Sequence, residues 1–229
     1  MTLLDGSALE QARAIRERRV SSVELVRAYL ARVEARDRTL SAFVEIAPER
    51  ALRDAERKDA ATRDGGAALP PFHGIPIGIK DLNLVRGYGM RGGSRALRWI
   101  KWSPIDDKTV SALRRAGFVM LGKLATSEVG AMPVTEPDIH PPTRNPWNTE
   151  YTPGGSSGGS AAAVSAGLLP IAHGSDGAGS IRIPAAFCHL FGLKPSRGRL
   201  ANQFGARDSR VLYTCGPIAR TVTDAAAML

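Results

Sequence analysis

Cysteine is scarce in this chain: Cys188 and Cys215 are the two in 229 residues. They form no C-x-x-C and no metal-ligand series, so disulfide-stapled and zinc-site classes are excluded. Both are expected to be reduced and at least half-buried, in a reducing compartment. No run of about 18 apolar residues exists, which excludes a membrane-spanning helix. The opening Met1-Thr2-Leu3-Leu4-Asp5 lacks the basic and apolar regions of a signal peptide. The expected location is cytoplasmic. Glycine has no period of three, and 43% apolar residues are too many for a disordered chain. Acidic residues are outnumbered, 22 against 31 Lys and Arg, for a net charge of +9. The arginines alternate with acids (Arg13, Arg16, Arg27 and Arg32 among Glu10, Glu17, Glu24 and Glu34), as on solvated helix faces. No groove-reading motif accompanies them, so neither nucleic acid nor membrane is an expected partner.

What the sequence has is a change of pattern near residue 66. Residues 7–64 read as helical. Ser7 can cap a first helix bearing Leu9, Ala12 and Ile15, and Ser21 with Glu24 makes a capping box. Pro48 suits the first turn of a third helix that runs towards Gly65-Gly66. Beyond it, Phe72 to Asp81 reads as a strand ending in charge, Val110 to Ala116 as a helix and Phe118 to Leu121 as a buried strand. Met132 to Pro153 is proline-rich and reads as a long ordered loop. Thr223 can cap a helix that the chain ends within two turns, which suggests the first part of a longer fold. The expected class is α/β, a mixed β-sheet covered by helices.

Chemistry concentrates in two glycine- and serine-rich loops, 153–160 and 174–180. A flexible linker is one reading, but two hydroxyl-loaded loops separated by one helix and one strand weigh against it. An anion cradle at Gly158, Gly159 and Ser160 is a second, although the phosphate-loop pattern G-x-x-x-x-G-K-[ST] is absent. The third is nucleophilic serine. Gly155-Ser156-Ser157-Gly158-Gly159 matches G-x-S-x-G, which points to Ser157, yet no histidine stands where that fold expects its base. His73, His140, His173 and His189 read as scaffold. The remaining base is a lysine, and of six lysines Lys80 ends an apolar strand. A snorkelling strand-end lysine is the bland alternative.

These residues resemble the amidase signature family. The resemblance runs from about Leu9 to the end. It rests on Gly74-Ile75-Pro76-Ile77-Gly78-Ile79-Lys80-Asp81, on Arg144-Asn145-Pro146-Trp147-Asn148, on the Gly/Ser segment through Pro184-Ala185, and on Gly192-Leu193-Lys194-Pro195-Ser196-Arg197-Gly198-Arg199. It implies a catalytic set of Lys80, Ser156 preceded by a cis peptide, and Ser180 as nucleophile. Ser157 then becomes a supporting residue. It also implies an oxyanion hole from the N–H groups of Gly177, Ala178, Gly179 and Ser180, with Asp176 and Arg182 holding the loop. The implied activity is hydrolysis of a small amide without metal or organic cofactor. Family members are longer, so the chain is expected to be the N-terminal part of one amidase domain. Residues 1–66 would be a helical packing segment and 67–229 a portion of the catalytic core, completed by a second copy or a missing C-terminal half. An incomplete, amidotransferase-subunit-like fragment is the alternative. Ala178 stands where many members carry glycine, and Ile183 where the tRNA-acting subunit carries glutamine. Thr135-Glu136-Pro137 and Ala172-His173-Gly174 are similar to the 6-aminohexanoate cyclic-dimer hydrolase branch.

Overall fold

A computed structural model describes residues 3–65, 68–200 and 212–229. Two amphipathic helices follow, α1 (Ala8–Arg16) and α2 (Ser22–Leu40): Ser21 forms the expected capping box with Glu24, and Ser7, expected as a cap, forms a second box with Glu10. Then comes β1 (Phe43–Ile46), a correction to the all-helical reading of residues 7–64. Ser41 ends α2 in the left-handed conformation (φ 51°), and Phe43 to Ile46 pair antiparallel along an edge of the sheet. Helix α3 (Pro48–Asp64) has proline in its first turn and Gly65 as its left-handed cap. Gly66, and with it the boundary expected between 66 and 67, lies outside the described residues.

The core strands follow: β2 (Pro76–Lys80), then α4 (Lys108–Arg115), then β3 (Val119–Leu124). β2 is shorter than the expected Phe72–Asp81 strand, because Gly74 turns the chain at φ +79° against Ser22. The long loop to Pro153 is present as expected and leads to α5 (Gly158–Ser165), β4 (Ile171–Asp176) and α6 (Arg182–Phe187). Strands β5 (Phe191–Gly192) and β6 (Thr214–Ala219) and helix α7 (Val222–Ala227) complete the order. Thr221, not Thr223, caps α7: its side chain accepts the Asp224 N–H, so the helix starts at Val222 rather than at Asp224.

The strand order is β1-β3-β2-β4-β6-β5, with β3, β2 and β4 parallel and the outer strands antiparallel. β2, β3, β4 and β6 are buried at every position, as strands covered on both faces must be. One apolar core joins Tyr29 and Val33 of α2 to Ile77 and Ile79 of β2, Leu121 of β3 and Ile171 of β4. Among the described residues, no helix is long and apolar enough to cross a membrane. The parallel strands β2 and β4 end side by side, at Lys80 and Asp176, and α5 begins nearby. In open α/β sheets the carboxyl ends of the strands are where ligands bind.

Candidate active site

Lys80, the last residue of β2, is fully buried. Its Nζ lies 2.6 Å from Ser156 Oγ and donates to the Ser175 carbonyl at 3.3 Å. Burial lowers its pKa from the ordinary lysine value to about 7, against the smaller opposing pull of Cys215 and Asp176. A buried amine resists charging because its ammonium form loses hydration. Lys80 is therefore no snorkelling strand-end residue: its nitrogen ends on a hydroxyl. That hydroxyl reaches it from the turn before α5, where the Gly155–Ser156 peptide bond is cis.

Ser157 is also buried and faces the end of β4. Its Oγ donates to the Ser175 carbonyl at 3.3 Å and accepts the Ser175 N–H at 3.4 Å. The Ser157 N–H donates to the Ser180 carbonyl at 3.2 Å, so the two serine-rich loops are tied together backbone to backbone. Ser180, Ser156 and Ser175 share the wall of a cavity of about 730 Å³ with Gly177, Ala178 and Ile183. Among the described residues, none lining this cavity is charged, and Leu82, Met90, Leu97, Val129 and Met132 make much of the wall.

The loop after β4 is organised by Asp176. Its Oδ1 accepts the Gly179 N–H at 2.7 Å and Arg182 Nη2 at 3.0 Å. Its Oδ2 accepts Arg182 Nε at 2.9 Å and the Ile181 N–H at 3.2 Å. Burial alone would raise this carboxyl, but the Arg182 guanidinium and the backbone donors outweigh it and hold the pKa at about 2. One donor expected of the oxyanion hole is engaged within the loop. The Gly179 N–H is committed to Asp176, because Gly179 sits at φ +122° and folds the loop back over the carboxylate. A side chain there would also strike Ile183 at 2.7 Å. Among the described residues no backbone acceptor engages the N–H groups of Gly177, Ala178 and Ser180.

Sequence reasoning missed one member of the neighbourhood, Lys123 of β3. It is buried and paired with Asp81 at 2.8 Å, directly beside the Lys80 strand end. The available signal was a lysine inside an apolar strand, Val119-Met120-Leu121-Gly122-Lys123-Leu124. Of the histidines, His73 is held by hydrogen bonds, its Nε2 within 3.0 Å of Thr62 Oγ1 and 2.9 Å of the Lys58 carbonyl. His173 is buried in β4 with its pKa lowered to about 3 by burial and by Lys80 and Lys123, so it stays neutral.

The amidase sequence family matches residues 24–229, nearly the whole chain. The chain belongs to the amidase family. A putative amidase of Synechocystis sp. is 47% identical over 226 residues, covering 97% of this chain and 44% of the relative. A glutamyl-tRNA(Gln) amidotransferase subunit from Methylococcus capsulatus is 45% identical over 220 residues, covering 96% and 45%. Among solved structures, a 6-aminohexanoate cyclic dimer hydrolase complexed with substrate superposes with a TM-score of 0.87 at 36% identity, covering 99% of this chain and 46% of that one. This amidase-family chain thus spans less than half the length of the relatives it matches.

Proposed function

We propose that this protein hydrolyses an uncharged carboxamide, with Ser180 as nucleophile and Ser156 and Lys80 as its proton relay. The observation that carries the reading is the 2.6 Å contact between a buried, readily neutral Lys80 amine and Ser156 Oγ, at the wall of a cavity that Ser180 also lines. The lone pair of neutral Lys80 takes the Ser156 proton as Ser156 takes that of Ser180, and Ser180 Oγ bonds to the amide carbon. The carbonyl oxygen becomes an oxyanion, stabilised by the N–H groups of Gly177 and Ala178, each such donor being worth about 3 kcal/mol. The relay then returns the proton to the departing nitrogen, the C–N bond breaks, and an acyl ester remains on Ser180. Water adds to that ester by the same relay and restores the serine.

The apolar side chains of the described wall support an uncharged substrate. Among the described residues no wall side chain could pair with a charged acyl group, whose unpartnered burial would cost several kcal/mol. Ile183, in the place of the amidotransferase glutamine, lines the same wall. The test is release of ammonia from hexanamide and from its ω-carboxylated analogue of equal length. The expected result is turnover of hexanamide that falls by at least about a thousandfold in Ser180→Ala and Lys80→Ala. Undiminished turnover in either variant overturns the reading.

A second reading has an observation of its own. Trp147 is 68% exposed, with Tyr151 and Phe187 also open, and Asn145 ties this patch together by donating to the Phe187 carbonyl. On this reading the chain acts only with a further segment or a partner protein covering that face.

A further inference from the structure

The relay leaves a buried ion pair unused. In the parallel register of β2 and β3, Ile79 faces Lys123 and Lys80 faces Leu124. Side chains alternate along a strand, so Lys80 and Lys123 point to opposite faces of the sheet. On its face Lys123 has an acceptor for each of its three N–H bonds: Asp81 Oδ1 at 2.8 Å, the Asn83 carbonyl at 2.9 Å and the Gly89 carbonyl at 2.8 Å. Asp81 is equally engaged, its Oδ2 accepting the N–H groups of Arg91 and Gly92 at 3.0 Å. The pair therefore gathers both ends of the irregular stretch from 81 to 92.

Both ends matter to the site. Asp81 separates Lys80 from Leu82, and the N–H groups of Leu82 and Asn83 both donate to the Lys80 carbonyl, at 2.8 and 3.2 Å. Leu82 at one end, and Met90 and Gly92 at the other, line the cavity. A buried ion pair is at best near neutral for stability against an apolar replacement, so stability alone gives it little reason to exist.

We propose that the Lys123–Asp81 pair is a positioning device, which pins the turn after β2 so that Lys80 stays in its dry place against Ser156 and the cavity wall keeps its shape. The proposal rests on Lys80 acting as the relay base. Neither residue touches substrate: both act through Lys80 and the backbone that carries it.

The test uses the whole chain and the double variant Asp81→Asn/Lys123→Met. It removes one charge of each sign, so the direct Coulomb effect of the pair on Lys80 largely cancels. The other ionisable groups acting on Lys80, Asp176, Cys215 and His173, are unchanged. With six lysines in the sequence, a lysine 13Cε label gives a spectrum simple enough to follow Lys80 by titration. Positioning predicts that the Lys80 midpoint rises by at least about one unit, towards the hydrated value of about 10.4. It also predicts that labelling of Ser180 by a fluorophosphonate slows by at least about tenfold at a pH above the midpoint, the scale expected of a small misplacement. The milder Asp81→Asn variant, which keeps an acceptor oxygen, should slow labelling in the same direction by less. An unmoved midpoint with labelling within about twofold of the parent overturns the proposal. So does loss of cooperative unfolding in both variants, which makes the pair a folding requirement. A parent chain that shows the low Lys80 midpoint but no label on Ser180 fails the catalytic reading instead, and the midpoint of the double variant still decides the positioning.

Discussion

At the scale of single residues, the account turns on an amine kept dry. Lys80 titrates near 7 in the folded chain because burial disfavours its charged form. A relay that needs the neutral amine loses rate as pH falls through that value. The acid limb of kcat/KM for an amide should therefore have its midpoint near 7. The same shift has a consequence for stability. In the unfolded chain Lys80 regains a pKa of about 10.4, so between about pH 7 and that value the unfolded state binds a proton that the folded state lacks. The Lys80 contribution to stability thus rises with pH across this window. The Tm of the parent chain relative to that of Lys80→Met should rise steadily from pH 7 to 9; a constant difference would contradict it. The pairing of Lys80 with Ser156 was expected from the resemblance, whose motifs hold both residues, whereas the G-x-S-x-G spacing alone pointed to Ser157. The engagement of Gly179 by Asp176 was not legible in the sequence, because a glycine read as a free donor shows its φ of +122° only once folded.

At the scale of elements, local signals were readable and distant ones were not. The capping boxes of α1 and α2 are complete within four residues, Ser7 with Glu10 and Ser21 with Glu24, so sequence suffices. Strand β1 escaped because its pairing partner is β3, some eighty positions on, and a four-residue strand between two long helices carries little periodicity of its own. Lys123 escaped likewise, since its partner Asp81 is brought to it only by the sheet. The longest such link joins the two ends of the described chain. Asp224, in the first turn of α7, is fully buried, and its carboxylate accepts the N–H groups of Ala8 and Leu9 at 2.9 and 3.0 Å. These are orphan donors at the start of α1, which an acidic group satisfies as both acceptor and countercharge. Asp224→Ala should cost about 2 kcal/mol by chemical denaturation, with hydrogen exchange accelerated first in α1. An unchanged midpoint would show that solvent replaces this cap.

At the scale of the whole molecule, the sheet and its helices carry the reading, since β2 and β4 deliver Lys80 and Asp176 to one edge and the turn into α5 delivers Ser156. The chain nevertheless matches less than half the length of its relatives. If the face bearing Trp147, Tyr151 and Phe187 requires a cover, size-exclusion chromatography with light scattering should find oligomers of this chain; a cooperative monomer would count against that need. The measurement that bears most directly on the central claim is fluorophosphonate labelling followed by peptide mapping, on the parent chain and on Lys80→Ala. The account predicts a label on Ser180 that vanishes in the lysine variant, because the nucleophile is activated through Ser156 by that amine. A label that settles on Ser157, or one on Ser180 that persists at the same rate without Lys80, would contradict it.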